Sequence, residues 1–227
     1  MLLVGYGKLG RAVAVSKNND PVNVYNRTES KIKEEKEANL IYCGPEKFHL
    51  FSSVLLCLPP QAYESFFENY GSYFKEGAII YHTATAMMRS EVQPLAKGLK
   101  VVPCKFAGHA LQSIEDRSGG VFVISRGYRE EKEALEDWLS SSFKVIEGKE
   151  EDVLEANKAS TEEAMRMVYS LQKRLEKSSL PDEAAKQIIT QIPRGVIKSY
   201  LQGNHGHFAK KVLDELTSEG EERKECD

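Results

Sequence analysis

At 227 residues the chain is long enough for one full α/β domain plus a smaller second unit. A formal net charge of −3, with no basic stripe interleaved with aromatics, argues against a nucleic-acid partner, and apolar runs no longer than a strand argue against a membrane span or a signal peptide. Cys43, Cys57, Cys104 and Cys226 are scattered with no Cys-x-x-Cys pair, so they read as reduced thiols of a cytoplasmic protein and not as a zinc site or disulfide frame.

Met1 to Val4 reads as an apolar strand that runs directly into Gly5, Tyr6, Gly7, Lys8, Leu9 and Gly10, the spacing Gly-x-Gly-x-x-Gly. In a dinucleotide site the first glycine permits the tight turn, the second lets a diphosphate approach the backbone, and the third lets the following helix sit close to the sheet. That helix, over Leu9 to Ser16, presents exposed amides and a positive dipole to the ligand. After a turn at Asn18 to Pro21, Val22 to Tyr25 forms a β-branched second strand ending in Asn26, Arg27 and Thr28. An NAD enzyme usually offers an acid here to the ribose hydroxyls, and none is present. Arg27 can pair with a ribose phosphate through its planar fork, with Asn26 and Thr28 as neutral donors, which favours NADP(H) over NAD. Thr28 also fits as the N-cap of the next helix.

Ser30 to Glu37 reads as a charged, solvated helix and Asn39 to Tyr42 as a short strand. Ser53 to Leu58 is a continuous apolar run ended by Pro59 and Pro60, the pattern of a central parallel strand covered on both faces. The carboxyl ends of such strands point at the ligand, so the backbone at Leu58 and Pro59 is the candidate wall against the nicotinamide ribose. Gln61 to Phe74 is a helix whose aromatics, at spacings of three and four, form a core stripe. Gly77 to Tyr81 is the next strand, and His82 beyond it fits a hydrogen-bonded structural role better than a catalytic one. A short helix over Met88 to Leu95, a strand within Lys100 to Lys105 and a loop from Phe106 to Leu111 follow. Gly120 to Ser125 and Lys144 to Ile146 read as strands flanking an amphipathic helix, Arg129 to Leu139. Strands and helices alternate throughout, which predicts a doubly wound, mostly parallel α/β sheet of seven or eight strands over residues 1–148.

Beyond Lys149 the strand signal ends. Helices are expected over Glu151 to Lys177, over Asp182 to Leu201 with Pro181 at the entry and a kink at Pro193, and over Phe208 to Leu216. Ser218 to Asp227 is expected to be a disordered charged tail. Helices alone over residues 149–217 can scarcely build a core, so this part is expected to pack in a homodimer. His205 and His207 lack a third ligand, and no metal is expected.

Together the stretches GYGKLG from Gly5, NRT from Asn26, LCLPPQ from Leu56, KVIEGKEEDV from Lys144, SSLPDEAAKQ from Ser178 and LQGNHGHFAKKVLDELTSEG from Leu201 resemble the pyrroline-5-carboxylate reductase family, including its late-competence protein branch. The resemblance implies a Rossmann-type domain that binds NADPH, an all-α dimerisation domain that interlocks with its partner, and hydride transfer to a cyclic imine, yielding proline. Two departures touch the substrate side. Where the family has a glycine-rich turn of the type SGSGPAY, this chain reads Lys158 to Ala164, KASTEEA. Where the family has SPGGTT, which grips the substrate carboxylate, it reads Thr217, Ser218, Glu219, Gly220, and Glu219 would repel that carboxylate. The expectation is therefore an NADP(H)-binding oxidoreductase acting on a small imine or related small-molecule substrate. Lys158 resembles the general-acid lysine of β-hydroxyacid dehydrogenases. His109, with Ala110, Leu111 and Gln112, resembles an HPLQ-like loop that borders the substrate, although a loop-stabilising role suits it better. A non-catalytic NADP-binding accessory or sensor protein is the remaining alternative.

Overall fold

The computed structural model describes residues 1–18 and 20–224, with side chains described as far as Ser218. Its first part alternates strand and helix. β1 (Leu2–Val4), α1 (Lys8–Ser16), β2 (Val22–Tyr25), α2 (Ser30–Lys33) and β3 (Leu40–Tyr42) come first. β4 (Ser53–Leu56), α3 (Tyr63–Tyr70), β5 (Ile79–His82), α4 (Arg89–Val92), β6 (Lys100–Ala107), α5 (Ala110–Asp116), β7 (Gly120–Ile124), α6 (Arg129–Trp138) and β8 (Phe143–Glu147) follow.

The eight strands form one sheet in the order β3-β2-β1-β4-β5-β6-β7-β8. Every neighbouring pair is parallel except β6 and β7, which are antiparallel. The chain builds outward from β1 through β2 to β3, then returns to lay β4 on the other side of β1. The order reverses there, and such a switch point opens a crevice at the carboxyl ends of β1 and β4. Adjacent β4 residues serve opposite faces: Leu55 joins one core cluster with Leu3, Val13, Tyr81 and Phe122, whereas Val54 and Leu56 join another with Phe48, Tyr63, Phe66 and Ile80. Burial on both faces explains why β4 reads as an unbroken apolar run.

Two local readings change. The helix expected over 30–37 stops at Lys33, because the Glu35 carboxylate takes hydrogen bonds from the amides of Lys36 and Glu37, offering the backbone an alternative to another helical turn. In place of a loop over 106–111, β6 continues to Ala107 and α5 starts at Ala110. His109 is its N-cap, with Nδ1 accepting from the Gln112 amide at 3.3 Å.

The chain divides into two compact units, the first Met1–Ala159 and the second beginning at Ser160. α7 (Glu150–Leu175) begins in the first, where Glu150 and Val153 are buried. The second holds the remainder of α7, α8 (Asp182–Leu201) and α9 (His207–Lys224). α8 runs through Pro193 as one element, although that residue can donate no helical hydrogen bond. α9 extends through much of the segment expected to be a disordered tail, and residues 225–227 lie outside the described part. No described helix is long and apolar enough to cross a membrane.

Candidate cofactor-binding site

The turn after β1 is built by glycines for two different reasons. Gly5 adopts a φ of +94°, and a Cβ there would stand 2.4 Å from the carbonyl oxygen of Cys57; one on Gly10 would stand 2.0 Å from the Gly5 carbonyl oxygen. Both are needed by the fold itself. Gly7 differs, since a Cβ there meets nothing within 4 Å. Its bare backbone is open on the ligand side, where a diphosphate needs close approach. Gly7 also precedes the first turn of α1, and no side chain caps that helix end. The orphan amides remain to be satisfied from outside the chain.

A crevice of about 480 Å³ opens beside this turn. Gly5, Tyr6 and Gly7 form one side of it, Leu58 and Pro59 another, and Ser65, Phe66, Asn69 and Tyr70 of α3 a third. At the end of β2 the lining includes Tyr25, Asn26, Arg27 and Lys31, and no carboxylate occurs anywhere in it. Arg27 and Lys31 are exposed and form no hydrogen bond or ion pair with a described residue. Lys31 was missed in the sequence because it sits in a run of charges; its place one helical turn past Arg27 is the spacing that marks it. Lys8, Leu9, Gly10 and Thr28 lie outside the lining. Cys57 also faces the crevice, but burial pushes its thiol up to about 12, leaving it a poor nucleophile.

Asn26 lines the crevice and also ties the turn together. Its Oδ1 accepts from the Tyr6 amide at 3.1 Å and its Nδ2 donates to the Thr28 carbonyl at 2.8 Å. Arg11, the other nearby guanidinium, is engaged by Glu35 and Glu37, each at 2.9 Å. Burial alone would raise the Glu35 carboxyl, but the Glu37 amide, the Tyr6 hydroxyl and Arg11 outweigh it and hold the group at about 2.

On the same carboxyl edge, a charged cluster lies inside the core. Lys105 and His82 are fully buried, and Lys105 Nζ stands 3.0 Å from His82 Nε2, 2.7 Å from the Ala84 carbonyl and 3.3 Å from Glu150 Oε2. Glu150 in turn accepts from the Arg89 amide at 2.9 Å. Burial pulls Lys105 down to about 8 against the attraction of Glu150, and burial likewise lowers His82. Burial pushes the Glu150 carboxyl up, but His82, the Arg89 amide and Lys105 prevail and lower it. Next to His82, Thr83 Oγ1 donates to the Leu56 carbonyl at 2.9 Å, one residue before the crevice wall at Cys57. The signal for this cluster was a lysine inside the otherwise apolar run of β6.

The residues singled out for catalysis stand elsewhere. His109 is an exposed helix cap, and Lys158 is exposed on α7 and forms no hydrogen bond or ion pair with a described residue; neither lines the crevice. Asn157, adjacent to Lys158, donates to the Phe106 carbonyl at 3.0 Å and so fastens α7 to the end of β6. Among the described residues no group of three or more His, Cys, Asp or Glu could hold a metal.

No protein-family model matches the chain, and no curated protein sequence matches it. Solved structures do. A pyrroline-5-carboxylate reductase from Coxiella burnetii superposes with a TM-score of 0.69 at 16% identity, over 99% of this chain and 89% of that one. The NADP-bound pyrroline carboxylate reductase of Plasmodium falciparum gives 0.63 at 16%, over 94% and 82%. An imine reductase from Bacillus cereus gives 0.55 at 16%, over 90% and 77%. At such identities the likeness is one of architecture: this chain carries the Rossmann-type doubly wound sheet followed by a helical region that these oxidoreductases also carry.

Proposed function

We propose that this protein is an NADP(H)-dependent oxidoreductase that reduces a small imine or a chemically related substrate. The observation that carries the cofactor reading is the crevice at the β1/β4 switch point. It combines the open backbone of Gly7 with two unpaired cations, Arg27 and Lys31, and a lining without a carboxylate. The turn amides and the start of α1 would hold the diphosphate. Arg27 and Lys31 would hold the phosphate that distinguishes NADP from NAD, and Leu58 and Pro59 would border the nicotinamide ribose. When bound, the dinucleotide supplies a hydride, and the chain's own part is to fix its position and exclude water. The NADP bound in the Plasmodium reductase and the imine reductase of Bacillus cereus, both of the same architecture, support this reading.

The helical unit supports a homodimer. No residue of α8 is buried, and Ile192, Ile197 and Tyr200 are each more than half exposed. Apolar side chains in such numbers are the expected face of a second copy.

A second reading follows from the substrate side. The exposed Lys158 and the Thr217–Gly220 stretch lack the features by which the resembling family grips its substrate, which favours an NADP-binding sensor or accessory protein without turnover. One experiment separates these two readings from each other and from a β-hydroxyacid dehydrogenase. The purified protein is incubated with NADPH and a panel of cyclic imines and 2-oxo acids, and separately with NADP+ and a panel of 3-hydroxy acids. Imine-dependent oxidation of NADPH supports the reductase, tight NADPH binding without turnover supports the sensor, and hydroxy-acid turnover lost in Lys158→Ala supports a β-hydroxyacid dehydrogenase. Failure to bind NADPH refutes all three.

A further inference from the structure

We propose that Glu35 is a positioning residue for the dinucleotide turn, acting through Tyr6 to fix the backbone that receives the diphosphate. The ligand named here rests on the cofactor reading above; the mechanics do not. Glu35 belongs to the connection between α2 and β3, 29 residues from Tyr6 in sequence. Its Oε2 accepts from the Tyr6 hydroxyl at 2.8 Å and from Arg11 Nε at 2.9 Å, and its Oε1 accepts from the amides of Lys36 and Glu37, each at 2.9 Å. The side chain is 9% exposed, so these four bonds satisfy a nearly buried carboxylate, and Arg11 offsets its charge.

Tyr6 is thereby held at both ends. Its amide donates to Asn26 at the end of β2, and its phenol donates to Glu35. Between Gly5 and Gly7 it is the one residue with a side chain available to anchor the turn. Glycine flanks give the backbone freedom that must be given up on ligand binding. An anchored Tyr6 gives up that freedom during folding instead, so the amides are already in place when the nucleotide arrives. Arg11 extends the same strap to α1, whose uncapped N-terminus would receive the diphosphate.

The test uses the full chain and the variants Tyr6→Phe, which removes only the hydroxyl, Glu35→Ala, and Glu35→Gln, whose amide oxygen still accepts from Tyr6. In amide hydrogen exchange without nucleotide, Tyr6→Phe and Glu35→Ala are expected to speed exchange at Gly5, Tyr6 and Arg11, the amides that are hydrogen-bonded in and around the turn, by about tenfold while β5 to β8 stay as in the wild type. Glu35→Gln is expected to recover part of the protection. Titration should show both NADPH and NADH weakened by a common factor of roughly five- to twentyfold, because the diphosphate is shared. Arg27→Ala, by contrast, changes their ratio. Unchanged exchange in the turn, or weakening confined to NADPH, overturns the proposal. The exchange arm needs no nucleotide, so a wild type that binds neither NADPH nor NADH refutes the cofactor reading while the strap is judged by exchange.

Discussion

Replacing Lys105 by Met offers a quantitative check on the buried cluster at the ends of β5 and β6. Met fills similar volume but leaves the Glu150 carboxylate beside His82 without its cation and the Ala84 carbonyl without its donor. Removing one partner of a buried pair costs about 3–5 kcal/mol, mostly the penalty of the stranded charge. For a unit of this size, Met1–Ala159, an unfolding entropy of about 2.1 cal/mol/K per residue converts that cost into a melting temperature lower by roughly 9–15 °C. The double variant Lys105→Met/Glu150→Gln strands no charge and is expected to recover at least half of the loss. Differential scanning calorimetry of the three proteins at pH 7 reads both effects.

The same comparison has a pH signature. Folded Lys105 titrates near 8, against about 10.4 in an unfolded chain. Between these values the unfolded state holds a proton that the folded state has released, so the stability contributed by this site grows as pH rises above 8 and is lost as pH falls through 8. The gap between wild type and Lys105→Met should therefore widen from pH 8 to 10. Burial holds the Cys43 and Cys57 thiols up, which opposes this trend at alkaline pH, but it does so in both proteins and cancels in the difference. A single variant within about 1 kcal/mol of wild type, or a double variant less stable than the single, would refute the account.

Other outcomes follow from the crevice. Arg27→Ala should weaken NADPH roughly 10- to 100-fold, the worth of a charge-assisted contact, and leave NADH nearly unchanged in a fluorescence titration. Gly7→Ala should melt within a few degrees of wild type, since its methyl meets no protein atom, yet bind NADPH at least about tenfold more weakly. Because folded Glu35 titrates near 2, its contribution is present above the unfolded carboxyl value near 4.3 and is lost as pH falls toward 2. The stability gap between wild type and Glu35→Gln should accordingly close over that interval in acid denaturation. Sedimentation at micromolar concentration should give the mass of two chains, and a monomer would count against the helical interface.

The fold was legible where local pattern and tertiary role coincide. The glycine spacing, the apolar run of β4 and the alternation of strand and helix each have one stable use, and the sheet places them accordingly. Elements failed where a side chain competed with the backbone: Glu35 ends α2 early and His109 starts α5, and neither event has a periodicity to read. In the site, Gly5, Gly7 and Arg27 were identifiable because their chemistry is local. Asn26, read as a ligand donor, lines the crevice and also staples the turn, a role the sequence does not show because its partner Tyr6 lies 20 residues away and only the folded sheet joins them. The union of His82, Lys105 and Glu150 likewise depends on the juxtaposition of β5, β6 and the start of α7.

Trp138 is the only tryptophan in the chain, and it sits on α6 beneath Lys17, whose ammonium lies 5.0 Å from the ring centroid and also bonds the Trp138 carbonyl. Its emission thus reports on the sheet-bearing unit alone, at the seam between α1 and α6. The described part of the second unit is helical outside its turns and carries no indole, so its melting is followed by circular dichroism. Heating that erodes ellipticity while the indole spectrum holds steady would show the helical part melting first, with no label introduced anywhere in the molecule.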